Sequence, residues 1–479
     1  MKKRITTLVL ASVLATTLVG CGGSSKEISY NIPDVNVISV DTLKAAGTTN
    51  ITFWHSFTTT AVEDALATAL ASFEKEYPYI KVEAVSKGGY DNLKSAVTLE
   101  IPTGNTPNVV IGYPDHFSEY IAGEVLVPLD KYIASKEVGI DVSDYYSSYM
   151  AEVTSLVDGY TFGLPFNKST EVLSYNKTFF DAHNLKVPTT WDEVKDVAQK
   201  SYDIIKAVMA TESKIDTVSG IDFSSCDFSK FYPLSYDAAA NQFITYVQQW
   251  GGTYTELESF DKGHIKFDST ETRTMLSWVS EMYTDHLFAP PAVWEQSYAN
   301  NAGAFQYVMS VGSSAGAQYY ATAANGAYEV GVAAVPYKDA DHKYVIQQGT
   351  NIAMLANGTD EQKLASWLLI KYLTSSEVNA EFAIAAGYYP VSKSATASTV
   401  YQNFLNSTPD TPAKASTLAA AKVNAEVYMT EYKSYFSPAF VGSSEVRTVV
   451  GNIIPAITVS GQSIEDALKD AVSQLPNYQ

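Results

Sequence analysis

Residues 50–112 alternate between strand-like and helix-like segments, and this alternation constrains the fold more than any other feature of the sequence. Three β-rich runs and two amphipathic stretches follow one another in the order 50–54, 61–77, 80–85, 90–100 and 108–112. Strand, helix, strand, helix, strand within about 65 residues is typical of an α/β domain with a parallel sheet. In such sheets ligands bind outside the carboxyl ends of the strands, where Trp54 and the segment 113–116 lie. The sequence therefore predicts an α/β fold with a ligand site at that edge.

The alternation returns later in the chain. Residues 331–335 form a strand-like run closed by Pro336, and residues 362–374 form an amphipathic helix. The segment 312–316 is Gly- and Ser-rich and precedes a helix-like stretch over 317–325. Its amides and hydroxyls could hold an oxygen-rich ligand at a helix N-terminus, and an ordinary N-cap would use the same residues. Both interpretations stay open.

Charge and length limit the class of protein. The chain has 479 residues with 32 Lys and Arg against 52 Asp and Glu, a formal charge of −20. No stretch is dense in Lys or Arg, and a nucleic-acid partner needs a basic face for its phosphates, so that partner is excluded. At about 150 residues per domain, this length predicts two or three lobes.

The reactive side chains carry no recognisable catalytic or metal-binding motif. The six histidines include no pair at ligand spacing, and the sequence has no nucleophile elbow, phosphate loop or dinucleotide fingerprint. The two cysteines, Cys21 and Cys226, are too few for a disulfide scaffold. Cys226 stands beside Asp227, which disfavours a thiolate, and we expect a buried, inert thiol. The sequence predicts no metal, no cofactor and no catalytic residue.

The N-terminus indicates export. Lys2, Lys3 and Arg4 precede a mostly apolar segment over 5–20, which is shorter than the roughly 18–20 residues that cross a bilayer. Residues 1–20 are therefore predicted to be a signal peptide. The sequence Leu-Val-Gly-Cys at 18–21 resembles the bacterial lipobox, and in such lipoproteins the cysteine, here Cys21, carries the lipid. A secretory signal with a chance cysteine and a short membrane anchor are the alternatives. Residues 21–47 are predicted to be a flexible tether that holds the protein at the outer face of the cell membrane, periplasmic or extracellular.

Four motifs stand in order behind this segment. They are Ile51–Ser56, Leu164–Thr170 with Tyr175–Lys177, Val187–Glu193, and Gly387–Val391. Together they resemble the family-1 extracellular solute-binding lipoproteins, the receptors of ABC importers for sugars and glycerol 3-phosphate. The resemblance implies that Thr190 is the N-cap of a helix. The resemblance covers nearly all of residues 48–479.

The resemblance implies a two-lobed, periplasmic-binding-protein-like fold of type II. Lobe 1 is expected over 48–163 and 345–375, and lobe 2 over 164–344 and 376–479, with chain crossings near residues 163, 345 and 376. A cleft of this kind closes by hinge bending on its solute. The expected partners are a small-molecule sugar or polyol phosphate, the ABC permease subunits and the membrane. The resemblance also implies that the protein is a monomeric receptor and that it is not an enzyme.

The resemblance also implies a set of ligand-binding residues. These are Trp54, Tyr90, Asp115, Ser169, Ser314, Gly349, Tyr388 and Arg447, and Arg447 corresponds to an arginine that meets a phosphate. Glu171 stands where the glycerol-3-phosphate branch prefers proline, and the segment after Arg447 is shorter than in that branch. A phosphate-bearing solute and a neutral saccharide stacked on Trp54 or Tyr388 therefore both remain open.

Each of these positions has an ordinary structural alternative. Trp54 could be plain core, and Asp115 could cap a helix. Ser169 and Gly349 could shape the backbone of the crossings, and Tyr388 could be a packed turn. Arg447 could pair with Glu445.

Two other functions fit parts of the sequence. A secreted, lipid-anchored carbohydrate-active enzyme would need two carboxylates facing each other across the cleft. An adhesive surface protein would more often show repeats, and no repeat is evident.

Overall fold

Two five-stranded mixed sheets organise the described part of the computed structural model, which comprises residues 30–293 and 298–479. The predicted signal peptide and Cys21 lie outside the described residues. Residues 32–479 form one unit. The predicted α/β class is confirmed.

The strands are β1 Thr49–His55, β2 Ile80–Ser86, β3 Val109–Gly112, β4 Leu164–Ser169, β5 Glu171–Asn176, β6 Leu234–Tyr236, β7 Thr255–Ser259, β8 Lys262–Ile265, β9 Phe288–Ala289, β10 Met309–Ser313, β11 Val330–Ala333, β12 Tyr344–Ile346, β13 Gln348–Met354 and β14 Lys433–Tyr435. The α-helices are α1 Val40–Ala45, α2 Thr60–Glu76, α3 Tyr90–Glu100, α4 Pro114–Ala122, α5 Asp130–Ile133, α6 Ser147–Thr154, α7 Lys177–Ala182, α8 Trp191–Met209, α9 Ala239–Gln249, α10 Thr270–Thr284, α11 Tyr298–Gly303, α12 Ala317–Ala324, α13 Asp360–Leu373, α14 Ser376–Ala386, α15 Lys393–Ala397, α16 Thr399–Leu405, α17 Pro412–Val423, α18 Met429–Glu431, α19 Ser443–Val450, α20 Ile453–Thr458 and α21 Ile464–Ser473. None of the described helices has the length and hydropathy to span a bilayer.

The first sheet has the order β2-β1-β3-β13-β4. β1 pairs in parallel with β2 and β3, as the strand–helix alternation predicts, and β13 runs antiparallel to β3 and β4. α2 buries Leu66, Leu70 and Phe73, which stand at helical spacing on one face, and the helix ends before Pro78. The first lobe is built on this sheet, and the carboxyl ends of β1 and β3 meet at one edge.

The second sheet has the order β11-β5-β10-β6-β9. α8 shares a hydrophobic core with this sheet, and Thr190 begins the helix with a capping box in which the Thr190 hydroxyl accepts from the Glu193 amide. The predicted N-cap is therefore confirmed. Trp191 follows directly and is fully buried, with its ring 4.8 Å from that of Tyr246. The second lobe has a hydrophobic core separate from that of the first.

The chain crosses between the two sheets at Thr170. β4 belongs to the first sheet and β5 to the second, and Thr170 is the one residue between them. Later, α14 packs on α2, and its Phe382 and Ala386 belong to the first core. The lobe bounds stay a prediction. They assigned β4 and α14 to lobe 2, whereas β4 belongs to the first sheet and α14 packs on the first core.

Residues 34–46 differ from the predicted flexible tether. They contain α1, whose Leu43 is buried in the first core together with Val35. Asp34 pairs with Lys131 at 2.5 Å, and the Val40 amide donates to Glu137 at 3.1 Å. Burial of the apolar side chains at 35 and 43 stabilises the fold, whereas a polar linker would gain nothing from burial. This stretch is packed on the first lobe.

Candidate functional site

A cavity of about 950 Å³ is lined by residues of both lobes. Tyr90 begins α3, and Tyr113 and Asp115 follow the carboxyl end of β3. From the second lobe, Asn241 of α9 and Arg447 of α19 face the same space. The site lies at the strand ends, where the parallel-sheet argument places it.

The structure brings five of the eight predicted ligand-binding residues to this cavity. They are Tyr90, Asp115, Ser169, Tyr388 and Arg447. Trp54, Ser314 and Gly349 are described residues that do not line it. The ligand-binding role of each residue stays a prediction. Sequence reasoning missed Asn241, Tyr254 and Gln348, which also line the cavity, and it placed Tyr113 at this edge without naming it as a ligand residue. For Tyr113 a signal was present, because it follows a buried strand.

The three residues outside the cavity have local roles. The Lys87 ammonium lies 3.5 Å from the centroid of the half-buried Trp54 ring, a cation–π contact. Ser314 is buried, and its hydroxyl accepts from the amide of Thr170 at 3.2 Å, which holds the crossing. Gly349 has φ of +84°, and a Cβ there would lie 1.9 Å from the Asn167 carbonyl oxygen. For Gly349 this contact favours the structural alternative, a role in the shape of the backbone.

Arg447 is a half-buried cation at the cavity wall. Its guanidinium Nη2 donates to the buried Asn241 Oδ1, and within the described residues it forms no ion pair with a carboxylate. Glu445, the partner considered in the sequence, instead accepts from the Tyr478 hydroxyl at 3.3 Å. A guanidinium without a carboxylate partner keeps donors for a ligand.

Glu171 lies fully buried near Arg447. Its carboxylate accepts from the Tyr236 hydroxyl, from Thr245 Oγ1 at 3.5 Å and from Gln348 Nε2 at 3.4 Å. Burial raises the pKa of Glu171 to about 7, although its hydrogen bonds and the charge of Arg447 act in the opposite direction.

Asp115 stands in the first turn of α4, and its carboxylate accepts from the neighbouring His116 amide at 3.1 Å. The N-cap of this helix is Tyr113, and Asp115 also lines the cavity. His116 is buried, and burial lowers the pKa of its ring. Among the described residues no group of His, Cys, Asp and Glu could hold a metal ion.

Tyrosines form an aromatic wall in the cavity. The rings of Tyr90 and Tyr113 meet edge to face at 5.0 Å, and Tyr388 stacks on Phe382 at 6.1 Å. Tyr90 and Tyr388 both line the cavity. Tyr254 also faces the cavity, and its buried hydroxyl has no partner among the described residues. Such a wall offers apolar ring faces and polar tips at once, which suits hydroxylated ligands.

The two lobes touch at the rim of the cavity. Lys94 and Glu119 of the first lobe form an ion pair at 2.7 Å, and Ser444 of the second lobe donates to Glu119 at 3.1 Å. Lys94 also donates to the Ser444 hydroxyl. The Tyr319 hydroxyl donates to Thr59 at 3.0 Å, a second contact between the lobes.

A buried ion pair lies beside the crossings. Lys168 of β4 pairs with Glu152 of α6, and both side chains are almost fully buried. Glu152 also accepts from Asn351 at 2.9 Å and from Gln347, while Lys168 donates to the Gly349 carbonyl at 3.2 Å. The pair joins α6 to both strands that reach the crossings.

Comparison with known proteins identifies a family. A family model described as bacterial extracellular solute-binding protein matches residues 68–415. The sn-glycerol-3-phosphate-binding periplasmic protein UgpB of Escherichia coli K12 is 27% identical over 382 residues, covering 76% of this chain and 79% of that protein.

Solved structures share the fold. An ABC substrate-binding protein from Listeria monocytogenes, in complex with cycloalternan, has a TM-score of 0.70 at 18% identity and covers 88% of this chain and 97% of its own. UgpB from Mycobacterium tuberculosis, in complex with glycerophosphocholine, has a TM-score of 0.70 at 18% identity. The match covers 90% of this chain and 98% of that chain. These likenesses show the two-lobed, periplasmic-binding-protein-like fold.

Proposed function

Because this chain belongs to the bacterial extracellular solute-binding protein family, we propose that it is the substrate-binding protein of an ABC importer. It captures a carbohydrate or a related polyol or glycerol phosphate by hinge closure and delivers it to a membrane permease. The observation that carries the proposal is the cavity of about 950 Å³ lined from both lobes, with an aromatic wall and an arginine.

Capture follows from the position of the lining residues. A solute in this cavity touches both lobes at the same time only when the lobes are closed, so it stabilises the closed state by its differential affinity. The rim contacts of Ser444 with Lys94 and Glu119 add to that state. The permease would recognise the closed form, and no bond in the solute is made or broken.

The lining residues support two solute classes. The wall of Tyr90, Tyr113 and Tyr388 suits the apolar faces of sugar rings. Arg447 suits a phosphate, since a guanidinium donates to phosphate oxygens in fixed geometry. The names of the Escherichia coli and Mycobacterium tuberculosis relatives favour a glycerol phosphate or its diester, and the Listeria structure favours an oligosaccharide. The volume accommodates a molecule larger than glycerol phosphate.

The family is extracellular, and we place this protein at the outer face of the cell membrane. The lipobox-like sequence at 18–21 supports a lipid anchor on Cys21. Two acyl chains hold a protein at a bilayer stably where one does not. Metabolic labelling with a fatty acid, lost in Cys21→Ser, tests the anchor.

The alternative is a carbohydrate-active enzyme. The family is made of solute-binding proteins, which are not enzymes. A glycosidase needs one carboxyl as acid and a second as nucleophile or base. In this cavity Glu119 is paired with Lys94 and Glu152 with Lys168.

A thermal-shift screen against maltotriose, glycerol 3-phosphate and glycerophosphocholine tests the proposed function. A bound solute should raise the unfolding midpoint and be recovered unaltered. Asp115→Ala should weaken binding with little change in stability, whereas Asp64→Ala on the exposed face of α2 should leave affinity unchanged. Recovery of a cleaved solute would establish the enzyme instead. A midpoint that no sugar, polyol or phosphate moves would contradict the receptor.

A further inference from the structure

Helix α9 begins at the cavity without a cap. Its N-cap residue, Ala238, has no side-chain acceptor, and no acidic residue stands in the first turn. Within the described residues no acceptor meets the backbone amides of Ala239, Ala240 and Asn241. Ala238, Ala240 and Asn241 line the cavity, and an alanine side chain is too short to cover the amides. The preceding helix α8 differs, because Thr190 caps it. The positive end of the α9 dipole is therefore open toward the cavity.

Three other helices of at least eight residues begin at the cavity, and each has an acidic residue in its first turn. α3, α4 and α19 carry Asp91, Asp115 and Glu445 there, and all three residues line the cavity. A carboxylate in the first turn compensates the positive end of the helix dipole. Of these four helices, α9 is the one whose N-terminus has no such compensation.

Arg447 is held against this N-terminus. Its Nη2 donates to Asn241 Oδ1, and Asn241 is the third residue of α9 and is 3% exposed. A cation at the positive end of a helix is unfavourable, because the two positive ends repel each other. In the part of the chain that the structure describes, no carboxylate pairs with Arg447. An anion that contacts both the guanidinium and the amides would compensate both.

A buried hydroxyl beside α9 also lacks a partner. Tyr254 lines the cavity and is 2% exposed, and its hydroxyl has no hydrogen-bond partner among the described residues. Its ring stacks on that of Phe267 at 6.3 Å, and Phe267 meets Phe243 of α9 edge to face at 5.6 Å. A buried hydroxyl without a partner is costly, and an oxygen-rich group in the cavity would accept from it. Tyr254 therefore points independently to a ligand on the α9 side of the cavity.

We propose, on the basis of the proposed function, that the N-terminus of α9 and the guanidinium of Arg447 together form an oxyanion subsite for a phosphoryl group of the solute. The amides of residues 239–241 and the Arg447 guanidinium donate to the phosphoryl oxygens, and the Tyr254 hydroxyl is a further donor. The carboxylates of Asp91 and Asp115 lie on the first lobe, where they repel an anion and accept from hydroxyls. The solute is therefore a polyol or sugar phosphate, with its phosphoryl group on the second lobe and its hydroxyls on the first.

Inorganic sulfate is the first probe, measured by isothermal titration at low ionic strength. Ala240→Glu places a carboxylate at the second residue of α9, and Ala240→Gln places a neutral side chain of the same length there. We expect the Glu variant to bind sulfate at least about fivefold more weakly than the Gln variant, because its carboxylate compensates the dipole and repels the anion. Ala61→Glu, at the exposed second residue of α2, is the matched control and should keep wild-type affinity.

Selenate in crystals of the wild-type protein gives a second readout that does not depend on a variant. Its anomalous signal should lie within hydrogen-bond distance of the amides of residues 239–241 and of the Arg447 guanidinium. Glycerol 3-phosphate distinguishes a phosphoryl group carried by a solute from a free anion. It should bind more tightly than inorganic phosphate, and Ala240→Glu should weaken both.

Four outcomes would overturn the subsite. They are no sulfate binding, equal sulfate affinity of the two Ala240 variants, a selenate position away from α9, and glycerol 3-phosphate that binds no more tightly than inorganic phosphate. None of these outcomes decides the proposed function, because the solute screen tests the receptor separately with neutral sugars among its ligands.

Discussion

Ser444 of the second lobe donates a hydrogen bond to Glu119 of the first lobe at 3.1 Å, across the rim of the cavity. Glu119 is at the same time the partner of Lys94 at 2.7 Å. Because the two residues lie on different lobes, this hydrogen bond forms only when the lobes are closed. It involves no atom of the solute.

We predict that Ser444→Ala weakens binding of every solute by the same factor. The variant loses two rim hydrogen bonds, one to Glu119 and one from Lys94, each of which contributes about 0.5–1.5 kcal/mol, so affinity should fall by roughly 5- to 150-fold. Isothermal titration with a neutral and a phosphorylated solute measures it. Ser407→Ala, an exposed serine that bonds only within its own turn, is the control. A change in the preference between the two solutes would mean that Ser444 contacts the ligand.

Arg447→Gln should separate the two solute classes. A hydrogen bond to a charged group contributes about 1.5–3 kcal/mol, so a phosphate-bearing solute should lose roughly 10- to 150-fold in affinity. A neutral saccharide should lose much less. Arg273→Gln, which removes an exposed pair with Glu465 at 2.8 Å, should leave both affinities unchanged. If Arg447→Gln binds phosphates as tightly as the wild-type protein does, Arg447 is not part of the binding site.

Lys168→Met should destabilise the protein strongly, because it leaves Glu152 buried without its cation. Breaking a buried pair typically costs about 3–5 kcal/mol. Denaturant unfolding measures the loss, and the double variant Glu152→Gln with Lys168→Met should recover part of it. If the double variant is no more stable than Lys168→Met, the unpaired charge is not the cause.

Gly349→Ala should unfold more readily than Gly47→Ala, although both glycines have φ of +84°. A left-handed backbone costs an alanine about 1–2 kcal/mol at either position. At Gly349 the new Cβ also meets the Asn167 carbonyl, whereas at Gly47 nothing lies within 4 Å. Thermal unfolding compares the two variants. Equal losses would show that the crossing strands move apart easily.

Stability should depend on pH through Glu171. Burial raises its pKa to about 7 in the folded protein from 4.5, so the folded state holds the proton more tightly. That contribution is fully present below about pH 4.5 and is lost as the pH rises through about 7, with an upper limit of about 3 kcal/mol. Glu171→Gln should flatten this part of the stability curve in denaturant titrations. Glu63→Gln, exposed on α2, should leave the curve unchanged.

Local sequence patterns predicted many of the helices and strands of the first lobe. The alternation of apolar residues predicted α2, α3 and the parallel strands, because helix and strand periods depend on neighbouring residues only. The family resemblance implied that Thr190 is an N-cap, and its partner Glu193 lies only three residues away. Prediction failed for residues 34–46, whose composition resembles a linker and whose burial depends on a distant surface.

The binding residues show the same division. Motif order predicted Tyr90, Asp115, Ser169, Tyr388 and Arg447, which line one cavity, but it also predicted Trp54, Ser314 and Gly349, which do not. The sequence alone determined the α/β class, the family resemblance and the candidate positions, because these reside in spacing and residue type. Only the tertiary structure decided that Arg447 donates to Asn241 and that Glu171 is fully buried. Those residues are distant in the chain, and hydrogen bonds and desolvation depend on distances in space that spacing along the chain does not encode.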